Sequence, residues 1–211
     1  LSVGGRDRAR SVISETAADM SFLRPVPSAP LTAEEIDPQH ELWPPHPRLT
    51  TNFGASLNPN VIALLEPYLG TTGPSLAVTS IAQSNPKTFA YAIDDGSDYY
   101  VVVLRQADAL GVVTLSVDGD TLETDARHTV LHFDSSARSW SDISAGLMVG
   151  GKRVWYDNRL VMGIYNDSLA GDLTFDAGEV SVSFDSGGSS SPEYYVGPII
   201  PRAALVNGVE Q

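Results

Sequence analysis

The residues that could do chemistry in this chain are histidines, clustered carboxylates and a scatter of aromatic rings. His128-Thr-Val-Leu-His132 sets two imidazoles four residues apart. On a helix that spacing brings two ligands to one metal ion. On a strand the same residues share a face but lie about 13 Å apart, too far for one zinc ion. The intervening residues are β-branched or aliphatic, so the strand reading is preferred and no metal site is expected here. Asp94-Asp95-Gly96-Ser97-Asp98 and Asp118-Gly119-Asp120 offer the hard oxygens that calcium takes. No glutamate closes an EF-hand loop from Asp94, however, and Asp and Gly are ordinary turn residues.

Hydrolytic chemistry finds little support. Asp172, Asp176 and Glu179 are the best carboxylates for a glycosidase, which needs two acids about 5–10 Å apart across a cleft. There is no Gly-x-Ser-x-Gly, no Gly-x-Gly-x-x-Gly and no phosphate-cradling Gly-x-x-x-x-Gly-Lys. The chain has no cysteine, which removes thiolate nucleophiles, thiolate metal sites and disulfides. The chain therefore reads as non-enzymatic, with no cofactor. Trp140, Trp155, Tyr156, Tyr165, Tyr194 and Tyr195 supply flat faces of the kind that stack on sugars beside Asp and Asn. Trp155 is assigned to the core. Trp140, Tyr156, Tyr194 and Tyr195 are the candidate ligand-binding residues.

These side chains must be positioned by strands. From residue 76 onward, short runs rich in β-branched and aromatic residues alternate with Asp, Asn, Gly and Ser clusters. Strands are predicted near 76–82, 88–93, 98–105, 111–117, 120–125, 127–133, 145–149, 153–156, 159–165, 172–176, 179–184 and 193–199. Val113–Val117 and Asp120–Thr124 flank Asp118-Gly119, the signal of a two-residue hairpin with a type I′ turn. Tyr99 to Leu104 is apolar at every position, which predicts cover on both faces. Val180 and Val182 alternate with serines, which predicts one wet face.

The first third differs. Pro25, Pro27, Pro30, Pro38, Pro44, Pro45 and Pro47 are too dense for regular helix or sheet interior. Short helices are expected at Arg8–Met20, Leu31–Ile36 and Val61–Glu66, the rest being an extended arm. The expected organisation is an anchoring arm over 1–50, a junction with a short helix over 51–75, a β-sandwich over 76–200 and a tail over 201–211. Phe22, Leu23, Leu42 and Trp43 are the arm's apolar anchors for neighbouring subunits. The fold class expected is all-β, an antiparallel jelly-roll-like sandwich carrying that Pro-rich arm.

Charge narrows the partners. The net charge is −13, of which residues 51–211 carry 8 basic and 19 acidic side chains. A body that acidic repels phosphate backbones, so nucleic acid is excluded as a partner class. No run of about 18 apolar residues is present, so no membrane-spanning helix is expected.

Arg127-His-Thr-Val-Leu-His-Phe-Asp-Ser135, preceded by the Val117-Asp118-Gly119 hairpin, resembles the laminin-G/concanavalin-like family over residues 76–184. In that family's Trp-His-x-Val-x-Leu-x-Phe-Asp-Gly pattern the tryptophan position is Arg127 here. The resemblance implies a jelly-roll that binds glycans or proteins, and it carries over no catalytic residue because the Glu-x-Asp-x-x-Glu strand is absent. A Pro-rich arm joined to such a sandwich also resembles the plan of viral and phage structural proteins. The functional expectation is a structural or attachment protein of a virion or extracellular surface. Residues 1–50 would bind copies of itself or other virion proteins, with a glycan as a further partner. The alternative is a carbohydrate-binding module or glycoside hydrolase of concanavalin-like fold.

Overall fold

The computed structural model describes residues 76–134, 137–165, 170–184 and 193–199, with the backbone of strands elsewhere (6–12, 17–26, 31–36, 46–51, 62–69, 203–206 and 209–210). The chain divides after Val78 into two compact units.

The first unit holds β1 (Arg6–Val12), β2 (Ala17–Val26), β3 (Leu31–Ile36), β4 (His46–Thr51) and β5 (Ile62–Leu69). They form a three-stranded sheet of order β1-β2-β5 and a two-stranded sheet, β3-β4. Where they are described, the helices expected at Arg8–Met20, Leu31–Ile36 and Val61–Glu66 are strands, which is a correction. Cross-strand pairing has overridden weak local helix preference, as it does where a helical stripe is thin. The described prolines fit this arrangement. Pro67 lies on β5, an edge of its sheet, and Pro25 falls where the β2–β5 register shifts between Leu23 and Val26. Of the expected anchors, Phe22 and Leu23 lie on β2, while Leu42 and Trp43 lie outside the described residues.

The second unit begins within β6 (Ala77–Ser80) and continues with β7 (Thr88–Asp94), β8 (Tyr99–Arg105), β9 (Val113–Val117), β10 (Asp120–Thr124), β11 (His128–Phe133) and β12 (Ile143–Gly151). It then runs through β13 (Arg153–Tyr156), β14 (Arg159–Tyr165), β15 (Gly171–Asp176), β16 (Glu179–Phe184), β17 (Glu193–Val196), β18 (Ala203–Val206) and β19 (Val209–Glu210). A single 3₁₀ turn, Trp140–Asp142, precedes β12. One sheet has five strands, β17-β14-β13-β10-β9; the other has nine, β19-β18-β16-β15-β12-β11-β8-β7-β6. Successive hairpins alternate between the sheets: β7–β8 in the larger, β9–β10 in the smaller, β11–β12 in the larger, β13–β14 in the smaller, β15–β16 in the larger. The strands expected from residue 76 to 196 are all present. The expected loose tail instead carries β18, parallel to β16, and β19.

Alternation decides what is buried. Tyr99, Val101 and Val103 of β8 and Thr129, Leu131 and Phe133 of β11 point inward, as do Val113, Leu115, Val117 and Leu122 from the smaller sheet. These faces form one apolar core, so the unit is a β-sandwich. Phe133 and Tyr156 meet across it with ring centroids 5.2 Å apart. Gly146 of β12 makes room for the contact between layers, since a Cβ there would lie 2.5 Å from Phe175 Cε1 and 2.7 Å from Met162 Cε. The wet face of β16 is as expected: Val180 and Val182 are buried, Ser181 and Ser183 exposed. The outer face of β8 (Tyr100, Val102, Leu104) is half-buried rather than fully covered.

Candidate functional site

The outer face of the smaller sheet collects the features of a ligand surface. On β10, Leu122 and Thr124 point inward and Glu123 outward; Glu123 lies opposite Trp155 of β13. Trp155 in turn lies opposite Leu160 of β14, and the next pairing is Val154 with Met162, leaving Val161 as the extra residue of a bulge. A bulge changes which side chains face which way. Here it puts both Val161 and Met162 in the core and turns Leu160 outward beside Trp155. Gly163, opposite both Arg153 and Tyr195, has no side chain and leaves a trough in the face.

Two grooves result, with Trp155 and Arg153 shared between them. One, of about 310 Å³, is lined by Val112, Thr121, Glu123, Thr124, Arg153, Trp155 and Asn158. The other, of about 430 Å³, is bounded by Asp125, Lys152, Leu160, Gly163, Ile164 and Tyr165 as well. Tyr165 is 59% and Tyr195 39% exposed on this side of the molecule. The electrostatics are mixed. Lys87 is paired with Asp108, Arg138 with Asp94 and Asp118, and Arg105 donates to the carbonyls of Gly111, Asp125 and Ala126. Lys152 and Arg153 form no ion pair with any described residue. Asp125 is engaged, its Oδ1 accepting the backbone N–H groups of Lys152 and Arg153 at 2.9 and 3.0 Å.

The sequence-derived ligand residues are spread differently. Tyr156 is fully buried, a correction to its expected exposure: it shares strand parity with Val154, packs on Phe133, and donates its hydroxyl to the Arg138 carbonyl at 3.0 Å. Burial, followed by the nearby Asp120, raises its pKa well above the usual phenol. Trp140 is half-buried against the core, its Nε1–H donating to the Leu160 carbonyl at 3.1 Å and the Arg159 guanidinium lying 4.5 Å over its ring. Tyr194 packs against the core as well, and Tyr195 faces out. Trp155, assigned to the core from sequence, lines the grooves. Asp172, Asp176 and Glu179 are exposed, and Asp172 accepts the Gly150 N–H at 2.8 Å.

At one end of the sandwich the acidic turns are knitted by Arg138. Its guanidinium lies 3.8 Å from the Tyr99 ring centroid and donates to Asp118 at 2.6 Å and Asp94 at 2.7 Å. The Tyr99 hydroxyl donates to Asp118 at 2.8 Å. These bonds tie the β7–β8 and β9–β10 turns to the β11–β12 connection, so the network spans both sheets. The Asp95 carboxylate accepts the backbone N–H groups of Ser97 and Asp98, the turn role expected of it.

A second array lies on the outer face of the larger sheet. His132 stacks on Tyr100 with centroids 4.5 Å apart and 13° between planes. Its Nε2 is 2.9 Å from Asp98 Oδ1, and its Nδ1 is 3.1 Å from Ser144 Oγ. Ser144 also donates to Asp134 Oδ1 at 2.6 Å. Ser144 is the extra residue of a bulge in β12, since His132 pairs with Ala145 and Phe133 with Ile143. Serine, histidine and aspartate in this order resemble a hydrolase relay, but Asp134 competes with Nδ1 for the single Ser144 proton. A base must take that proton to make a nucleophile. His128 lies four residues back along the strand and is not part of the cluster. The cluster was missed from sequence because Asp98, His132 and Ser144 meet only through strand register. Compared with known proteins, the chain matches no family model, no curated protein and no solved structure.

Proposed function

We propose that this chain is a non-enzymatic attachment protein whose β-sandwich takes a carbohydrate ligand along the outer face of the smaller sheet. The observation that carries the reading is Trp155, an aromatic face standing between two grooves whose walls are Thr121, Glu123, Arg153, Asn158 and Lys152. Sugars are bound by this pairing of a flat apolar plate with hydrogen-bonding side chains, in clefts of about 300–1,000 Å³. Hairpins that alternate between sheets support a jelly-roll-like reading of the sandwich. Of the two carboxylates among the described groove residues, Glu123 and Asp125, the latter has its Oδ1 held by two backbone amides, a structural role unlike that of the free acid pair glycoside hydrolysis uses. That favours binding over cleavage. The setting proposed is a multi-subunit assembly, a virion or an extracellular surface, with residues 1–50 joining copies of the chain or other structural proteins.

A glycan array followed by calorimetry on the best hit tests the reading. Trp155→Ala is expected to weaken binding at least tenfold with an unchanged far-UV spectrum, and Phe at that position to restore most of it. An array without hits, or a hit indifferent to Trp155, sinks it.

A further inference from the structure

We propose that His132, Asp134 and Ser144 form a binding site for one divalent transition-metal ion, with Asp98 orienting the imidazole from behind. The proposal stands apart from the carbohydrate reading, for it lies on the other sheet and uses none of the groove residues. Asp98 immediately precedes β8, His132 lies near the end of β11 with Asp134 just past it, and Ser144 is in the β12 bulge.

The tautomer follows from the partners. A carboxylate only accepts, so Asp98 at 2.9 Å requires a proton on Nε2. In the neutral ring the lone pair is then on Nδ1, the nitrogen that faces Ser144 and Asp134. Metal-bound histidines characteristically donate their other N–H to a carboxylate, which fixes the ring and raises the basicity of the ligating nitrogen. Stacking on Tyr100 holds the same ring from its face.

The donor atoms have suitable spacing. Nδ1 and Ser144 Oγ are 3.1 Å apart, Oγ and Asp134 Oδ1 2.6 Å, and Nδ1 and Oδ1 3.6 Å. Ligands held about 2.0–2.1 Å from a tetrahedral ion are about 3.4 Å from one another. Shifts of under about 1 Å along each edge therefore seat an ion above this triangle. The Ser144 hydroxyl would exchange its bond to Asp134 for the ion, and Asp134, with 63% of its side chain exposed, leaves solvent to complete the shell. The imidazole nitrogen selects the class of ion: zinc, cobalt, nickel or copper over calcium and magnesium.

The test is titration of the full, metal-stripped chain with cobalt(II), read by visible absorption, then displacement by zinc. Expected is one saturable site with the intense bands of low-coordinate cobalt, bleached by zinc and untouched by calcium. Asp134→Asn, an exposed change that leaves the core alone, lowers the affinity at least tenfold. Asp98→Asn lowers it about 10–100-fold without removing a ligand. His132→Gln abolishes the bands. Absence of saturable binding overturns the proposal, as does binding that survives both His132→Gln and Asp134→Asn unchanged. Should His132→Gln unfold, the Asp134→Asn result decides alone.

Discussion

At the scale of single residues, Asp118 shows how an acidic chain uses its charge. Its carboxylate accepts from the Tyr99 hydroxyl and from Arg138, and these two donors, the phenol first, hold its pKa below the ordinary carboxylate value of about 3.9. A group depressed in the folded state contributes stability that is fully present above its unfolded pKa and is lost as pH falls through the folded one. Acid unfolding of this protein should therefore have a limb that begins near about pH 4 and deepens below it. In Asp118→Asn that limb is expected to be shallower, with lower stability at neutral pH, as read by chemical denaturation at a series of pH values. Equal acid limbs in the two proteins would show that the Asp118 network does not couple folding to protons. Tyr99 moves the other way: burial, then the Asp118 bond, raise its pKa, so both partners favour the same protonated phenol and ionised acid.

At the scale of elements, turn chemistry and side-chain alternation were legible and the first unit was not. Asp118 and Gly119 have φ of 51° and 103°, the two positive values a type I′ turn requires, as the Asp-Gly pair announced. The strands of the sandwich follow from composition because each is bounded by such breakers. The strands of the first unit do not: in Leu-Thr-Ala-Glu-Glu-Ile four of six residues are strong helix formers, yet it pairs with His46–Thr51. Only a partner distant in sequence decides that outcome. The site was half legible for a related reason. The aromatic supply was visible, but a bulge at Val161 and one step of strand parity decide that Trp155 faces a groove while Tyr156 is buried. A testable consequence lies in the β15–β16 turn, where Ala177 and Gly178 have φ of 47° and 92°. Alanine is a poor occupant of the left-handed region, which asparagine tolerates. Ala177→Asn, at an exposed position, is expected to stabilise the protein by about 0.5–1 kcal/mol. A midpoint shift in thermal or urea unfolding measures it, and a neutral or destabilising result would mean that the turn relaxes without cost.

At the scale of the whole molecule, the division after Val78 separates two kinds of sequence. The second unit owns a continuous apolar core made from both its sheets, which is what a domain needs to fold alone. The first unit has sheets of three and two strands, and small sheets of this kind gain stability by packing against something else. In the proposed assembly that something is another copy of the chain or another structural protein. Self-association should then reside in the first unit and the native spectrum in the second. Light scattering on the full chain and on a chain beginning at Leu76 separates these contributions. Expected is a mass of several copies for the full chain, and a monomer with intact β-sheet circular dichroism and cooperative unfolding for the shorter one. Because the body carries most of the −13 charge, raising salt should strengthen the full chain's association by screening its self-repulsion. A full chain that stays monomeric at every salt concentration would argue that the first unit has no self-association role. A shorter chain that still oligomerises would move the interface onto the sandwich itself.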